Sequence, residues 1–179
     1  MKTKTNYKWL IKIVLISVAI SMVFTFASTE IMGRAGYILA FAVLAVFIIL
    51  GIFFDIIGVA VTAATEAPFH SMAAHRERGA AECLRLIKNT DKVSSFCNDV
   101  VGDVSGIVSG STAALVAARL MEGFNTENML FPLLISGVVT GLMIGGKAAG
   151  KAFALNNSTA IIHRVGKLIN LLSMKSFTK

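Results

Sequence analysis

Charged side chains stand inside two otherwise apolar stretches of the chain, and their spacing is the first sign of possible chemistry. Asp99 and Asp103 are four residues apart, so on a helix their carboxylates share one face. Lys147 and Lys151 have the same spacing in a later apolar stretch. Ionisable groups at membrane depth are costly and are retained where they meet a partner, a cavity or an ion. On consecutive antiparallel helices, two carboxylates and two ammonium groups predict intramembrane ion pairs.

A cation site is the alternative interpretation of the same acids. Mg²⁺ prefers oxygen ligands in near-octahedral geometry and is commonly held by one or two carboxylates. The side chains that could supply these oxygens are Asn98, Asp99, Asp103, Ser94 and Asp55. This interpretation predicts Mg²⁺ as the bound or transported ion, with no organic cofactor. No Ser/His/Asp or Cys/His arrangement with a common location accompanies these residues, so we expect no enzyme activity.

The elements that must position these side chains are apolar runs long enough to cross a bilayer. Hydrophobic residues make up 55% of the 179 residues and charged residues only 15%, which is too apolar for an ordinary soluble domain. Four runs, at 10–27, 37–64, 93–121 and 129–154, approach or exceed the roughly 20 residues that a membrane-spanning helix needs. The sequence therefore predicts an all-α, polytopic membrane protein with four transmembrane helices.

Two further segments, 68–89 and 157–173, have the three- and four-residue apolar spacing of amphipathic helices. We expect both to lie along the membrane surface. The chain is divided into an N-terminal helix with its outer loop, 1–34, and a transmembrane domain, 35–179, that includes both amphipathic helices. The run at 10–27 is predicted to be a retained helix. A signal peptide is the alternative there, because a charged start precedes the run.

The distribution of Lys and Arg predicts the orientation of the helices. The proposed inner segments hold four near the N-terminus, five between Arg76 and Lys92, and six from Lys147 onward, which is fifteen of the seventeen. Arg34 and Arg119 alone lie outward. The positive-inside rule then places both termini in the cytoplasm of a multi-pass cell-membrane protein, with the lipid bilayer as its partner. Nucleic acid is not expected, because no basic cluster is interleaved with aromatic residues.

Two segments, RERGAAECLRLIKNTDKVSSFCNDVVGD and IGGKAAGKAFALNNSTAIIHRVGKLINLL, carry a family resemblance. The first is similar to the surface helix, the Gly-Ala step and the Gly-Asn-x-x-x-Asn span of the transmembrane domain shared by CorC and cyclin M (CNNM) magnesium transporters. The second resembles that domain's Gly-Glu-x-x-Pro-Lys motif, alanine-rich end and amphipathic helix. The resemblance covers roughly residues 51–172 in the same order. It implies magnesium transport, a homodimer, a cation-contacting Asn98 and a motif lysine at Lys151.

The departures from that family open two hypotheses. Lys147 stands where the family has Glu, Gly150 stands where it has Pro, and the sequence does not contain the family's CBS-domain pair. A fixed ammonium opposes a dication nearby. The first hypothesis is a minimal CorC-like Mg²⁺ transporter, in which Asp99 and Asp103 replace the lost negative charge. The second is a structural or partner-binding membrane protein, with an unidentified membrane partner, whose cation position is filled by Lys147.

Overall fold

The protein is all-α over the residues that the structure describes. A computed structural model describes residues 7–34, 36–124, 128 and 130–176, without the side chains of 32–34 and 174–176, and this part of the chain contains no strand. Its α-helices are α1 Tyr7–Arg34, α2 Tyr37–Ala63, α3 Ala67–Ala74, α4 Ala80–Lys88, α5 Thr90–Ser95, α6 Asp103–Gly123, α7 Leu130–Asn156 and α8 Ser158–Ser176. A π-helical segment, Phe96–Gly102, connects α5 directly to α6. The predicted fold class is confirmed at this level.

Within the described part of the chain, four helices are long and apolar enough to cross a membrane, as the sequence predicted. They are Tyr7–Ile31, Tyr37–Ala63, the continuous helix Thr90–Gly123 and Leu130–Asn156. The third is the least exposed, with 61% of its most apolar window buried inside the protein, against 17% for the second. The third helix is therefore surrounded mainly by other parts of the protein. The other three helices keep broad apolar surfaces exposed.

The chain divides into two compact units. The first unit comprises Met1–Ile52 and Asp99–Gly146, and the second comprises Phe53–Asn98 and Lys147–Lys179. The long helices α2 and α7 contribute residues to both units. The predicted boundary between 1–34 and 35–179 falls where α1 ends, and that division stays a prediction.

In the first unit, α1 packs along α6. The hydroxyls of Ser28 and Thr112 share a buried hydrogen bond of 2.6 Å, which satisfies two polar groups that apolar surroundings would penalise. The rings of Phe24 and Phe47 lie 5.4 Å apart and fasten α1 to α2 as well. The N-terminal helix is thus an integrated part of this unit, although whether residues 1–27 are removed as a signal peptide stays a prediction.

In the second unit, α3, α4 and α8 close around a core that includes Phe69, Cys83 and Ile162, all fully buried. The single amphipathic helix predicted for 68–89 is instead two helices. Residues between α3 and α4 turn the chain, with Arg76 and Gly79 both in the left-handed backbone region at φ of 55° and 87°. The helix break lets α4 pack against α8. The bounds of α8 match the predicted 157–173 segment closely.

Candidate functional site

An ion pair forms in the second unit between two side chains that the sequence had placed in different roles. The Lys147 ammonium nitrogen lies 3.8 Å from Oδ1 of Asp55, so the pair joins α7 to α2. Only 24% of the Lys147 side chain and 17% of the Asp55 side chain are exposed. The sequence predicted Asp55 as an oxygen ligand for a cation and Lys147 as a partner of other acids. In the structure Lys147 supplies positive charge to Asp55.

Asn98 contributes the second polar element, from within the π-helical segment. Its Nδ2 donates a hydrogen bond of 3.3 Å to the hydroxyl of Ser94, four residues earlier. Its Oδ1 is buried and has no hydrogen-bond partner among the described residues. An unpaired buried carbonyl oxygen costs free energy unless another group satisfies it. π-helical segments occur frequently at functional sites. An unsatisfied buried oxygen within such a segment therefore makes this part of the chain a candidate site.

A glycine brings Asn98 against α2. A methyl group at Gly58 would overlap the Asn98 carboxamide, so only a residue without Cβ allows this approach. Asp55 and Gly58 are three residues apart on α2 and share a helix face. Asp55 therefore lies within one helical turn of the point where Asn98 meets α2. We call the set Asp55, Ser94, Asn98 and Lys147 the polar site.

The remaining predicted residues are exposed. Asp99 and Asp103 belong to the first unit and, with Ile107, form an exposed row at four-residue steps. Lys151 is also exposed, one turn after Lys147 on α7. The spacing argument that put Asp99 and Asp103 on one helix face agrees with this row. Their predicted roles as cation ligands, or as ion-pair partners of the lysines, stay predictions.

One residue of importance escaped the sequence analysis. Gly58 was passed over, although a glycine three residues after the only acid of an apolar helix is a signal for close approach at that acid. The hydroxyl of Ser105 is also buried, in the first unit, without a hydrogen-bond partner among the described residues. A Cβ at Gly51 of α2 would lie 3.1 Å from the Cβ of Ser105, so tight packing between α2 and α6 encloses that hydroxyl.

The polar site does not fit a resident Mg²⁺ ion. It holds one carboxylate, one amide oxygen and one serine hydroxyl, and the carboxylate already faces an ammonium group. Across the described part of the chain, no three His, Cys, Asp or Glu side chains come together as a metal-holding group. Because like charges repel, a dication beside Asp55 would have to displace Lys147 before it could gain the carboxylate.

The chain matches no family model, no curated protein and no solved structure. The likeness to the CorC and CNNM transmembrane domain therefore rests on the sequence segments quoted above and stays a prediction.

Proposed function

We propose that this chain is a multi-pass membrane protein with a CorC/CNNM-like layout, in which the Lys147 ammonium stands in the place of a bound cation. In this proposal the protein does not transport ions and serves as a structural or partner-binding component of the membrane. The observation that carries the proposal is the 3.8 Å approach of the Lys147 nitrogen to Asp55. A tethered ammonium neutralises the carboxylate permanently, whereas a transported ion has to arrive and leave.

The membrane part of the proposal is supported by the four long apolar helices and by the charges between them. With fifteen of seventeen Lys and Arg residues in the proposed inner segments, both termini are cytoplasmic and the host is the cell membrane. The α3–α4 pair and α8 then lie at the inner membrane surface, where their charged residues meet the headgroups. The homodimer implied by the family resemblance belongs to the same proposal.

The energetic argument follows from the position of the pair. A lone ionised carboxylate at the centre of a membrane helix costs about 2.5–3.5 kcal/mol, and a nearby ammonium offsets that cost. Breaking such a pair by removing one partner leaves the other charge uncompensated. Lys147 is therefore a stabilising residue in this protein, at the position where the CorC/CNNM motif has an acid.

Divalent cation transport is the second candidate, because one observation favours it. The buried Asn98 Oδ1 has no partner among the described residues, and an amide oxygen is a suitable ligand for a hard cation. In that version the cation displaces the Lys147 ammonium from Asp55 when it binds. Mg²⁺ is then the cargo rather than a resident cofactor.

A reversal of charge at position 147 separates the two candidates. The purified full chain is titrated with Mg²⁺ while its thermal unfolding is recorded, for the natural protein, for Lys147→Glu and for the control Lys151→Glu one turn further along α7. The proposal expects no Mg²⁺-dependent stabilisation of the natural protein or of the control. Lys147→Glu gains such stabilisation, because two carboxylates and the Asn98 oxygen then share the polar site.

The opposite pattern supports transport and overturns the proposal. In that case Mg²⁺ stabilises the natural protein, and the effect is lost in Asn98→Ala and in Asp99→Ala. Uptake of Mg²⁺ into proteoliposomes that contain the natural protein would lead to the same conclusion.

A further inference from the structure

A cavity of about 330 Å³ lies within the second unit, separate from the polar site. Helix α2 lines it with Phe53, Ile56 and Ile57, and α7 adds Phe153. Ile57 is almost fully buried, while Phe53 and Phe153 keep more than half of their surfaces exposed. The cavity thus has an apolar floor and an aromatic mouth. Its volume is at the lower end of the range of about 300–1,000 Å³ that is usual for small-ligand sites.

Helix α8 forms the remaining wall and adds one charge. Ile161, Val165 and Leu168 follow one another at four- and three-residue steps, so one apolar face of α8 closes the cavity. Arg164 is the only charged residue of the lining. Among the described carboxylates none forms an ion pair with Arg164, whereas the neighbouring His163 lies 3.8 Å from Glu77. The guanidinium therefore keeps its donors for a group that enters the cavity mouth.

The C-terminal segment that supplies α7 and α8 is basic. Residues 128–179 contain six Lys and Arg residues and no Asp or Glu. Anionic lipid headgroups are attracted to such clusters, and basic pockets between helices bind them on the cytoplasmic side of membranes. An apolar cavity whose one charged lining residue is a guanidinium suits an amphiphile with an apolar chain and a negatively charged head.

We propose that this cavity binds one anionic phospholipid, with part of an acyl chain between α2, α7 and α8 and its phosphate at Arg164. The planar guanidinium is suited to this contact, because it donates parallel hydrogen bonds to phosphate oxygens. The inference rests on the membrane residence in the proposed function, but not on the Asp55–Lys147 ion pair. The lipid would hold α8 against the ends of α2 and α7.

The test measures lipid retention by the full chain. Protein purified in mild detergent is incubated with phosphatidylglycerol or with phosphatidylcholine of the same acyl chains, and bound lipid is counted by native mass spectrometry. The expected result is preferential retention of one phosphatidylglycerol. Arg164→Gln weakens this retention about fivefold, the size of effect expected for one basic residue at a headgroup. Arg85→Gln, an equal charge change on α4 away from the cavity lining, leaves retention unchanged.

A second variant tests the apolar half of the site. Leu168→Trp fills the mouth at a residue that is already 55% exposed, so the fold tolerates it, and it lowers phosphatidylglycerol retention without altering charge. Equal retention of both lipids by the natural protein overturns the proposal. An equal loss in Arg85→Gln does the same, since it shows a diffuse charge effect. Displacement of the lipid by inorganic phosphate alone assigns the site to a free anion instead.

Two further outcomes show whether a negative result concerns the lipid site alone or also the proposed function. If a second copy of the chain covers the cavity, light scattering reports a dimer that retains no lipid, which also overturns the proposal. Flotation with phosphatidylcholine vesicles tests membrane residence by itself. A protein that fails to float refutes the proposed function, whereas one that floats but shows no lipid preference refutes only the lipid site.

Discussion

The ammonium nitrogen of Lys147 lies 3.8 Å from Oδ1 of Asp55, and both side chains are largely shielded by the second unit. Asp55 is the only charged residue of α2, a helix that is otherwise almost entirely apolar. The pair therefore explains how an acid is retained in a helix of this composition. In the proposed function, this ammonium takes the place of a bound cation.

Lys147→Met tests the stabilising role of the ammonium. Removing it deprives the Asp55 carboxylate of the ammonium that lies 3.8 Å away. The cost is about 2.5–3.5 kcal/mol, the value for an ionised carboxylate at the centre of a membrane helix. For a chain of this size we expect the melting temperature in detergent to fall by about 5–14 °C. Lys151→Met is the matched control, because that side chain is exposed, and it should change the melting temperature by less than about 2 °C.

The double variant Asp55→Asn with Lys147→Met completes the cycle. Neutralising both partners removes the carboxylate together with its ammonium partner, so most of the stability lost in the single variant returns. Chemical denaturation of all four proteins gives the coupling free energy. Strictly additive losses would show that the two side chains do not stabilise one another, and would remove the physical basis for the proposed function.

Gly58→Ala tests the approach of Asn98 to α2. The added methyl overlaps the buried Asn98 carboxamide, and overpacking of this kind costs about 1–3 kcal/mol. Gly141→Ala on α7 is the control, because no atom lies within 4 Å of the position that a Cβ would take there. Thermal unfolding should show a loss for Gly58→Ala alone, relieved when Asn98→Ala is added. Equal behaviour of the two glycine variants would contradict the contact.

Gly79→Ala tests the junction of α4 with α8. Gly79 has a φ of 87°, and a Cβ there would lie 2.6 Å from the Lys167 backbone nitrogen. Strain in the left-handed region and the backbone overlap act together, and we expect a loss of about 1–3 kcal/mol. Limited proteolysis should cut near α8 faster than in the natural protein. Gly145→Ala, in open surroundings on α7, should leave the cleavage rate unchanged.

The buried thiol of Cys83 should make the free energy of unfolding decrease at alkaline pH. Burial, with a smaller contribution from the negative charge of Glu82, raises the pKa of the Cys83 thiol above its ordinary value. The folded state then holds the proton more tightly than the unfolded state. The resulting stability is fully present below the ordinary thiol pKa and is lost as pH rises through the raised value.

Thiol labelling provides the measurement for Cys83. The thiol donates a hydrogen bond of 3.3 Å to the Ile162 carbonyl and is completely buried, so a maleimide should modify it slowly in the folded protein and rapidly after denaturation. A Cys97→Ala background isolates this signal. Cys83→Ala should flatten the alkaline decline in unfolding free energy. Rapid labelling of the folded protein at neutral pH would contradict the burial.

The local features of the fold were predictable from sequence because they depend on short-range patterns. Uninterrupted apolar runs set the four long helices, and three- and four-residue spacing set α8. The break between α3 and α4 was missed, because the amphipathic pattern continues through Arg76 and Gly79 and does not reveal their backbone conformations. The π-helical segment was missed for a similar reason, since it depends on packing around the helix rather than on residue type.

The sequence by itself determined that the chain is all-α, that four helices are apolar enough to span a membrane, and that acids and lysines stand within them. Hydrophobicity and helical period are local properties, so no tertiary contact was needed for these conclusions. Only the tertiary structure decided that Lys147 meets Asp55, and that Gly58 receives Asn98. Those contacts depend on which helix faces approach one another. Because Asp55, Asp99 and Asp103 carry the same charge, the sequence alone could not show which of them pairs with Lys147.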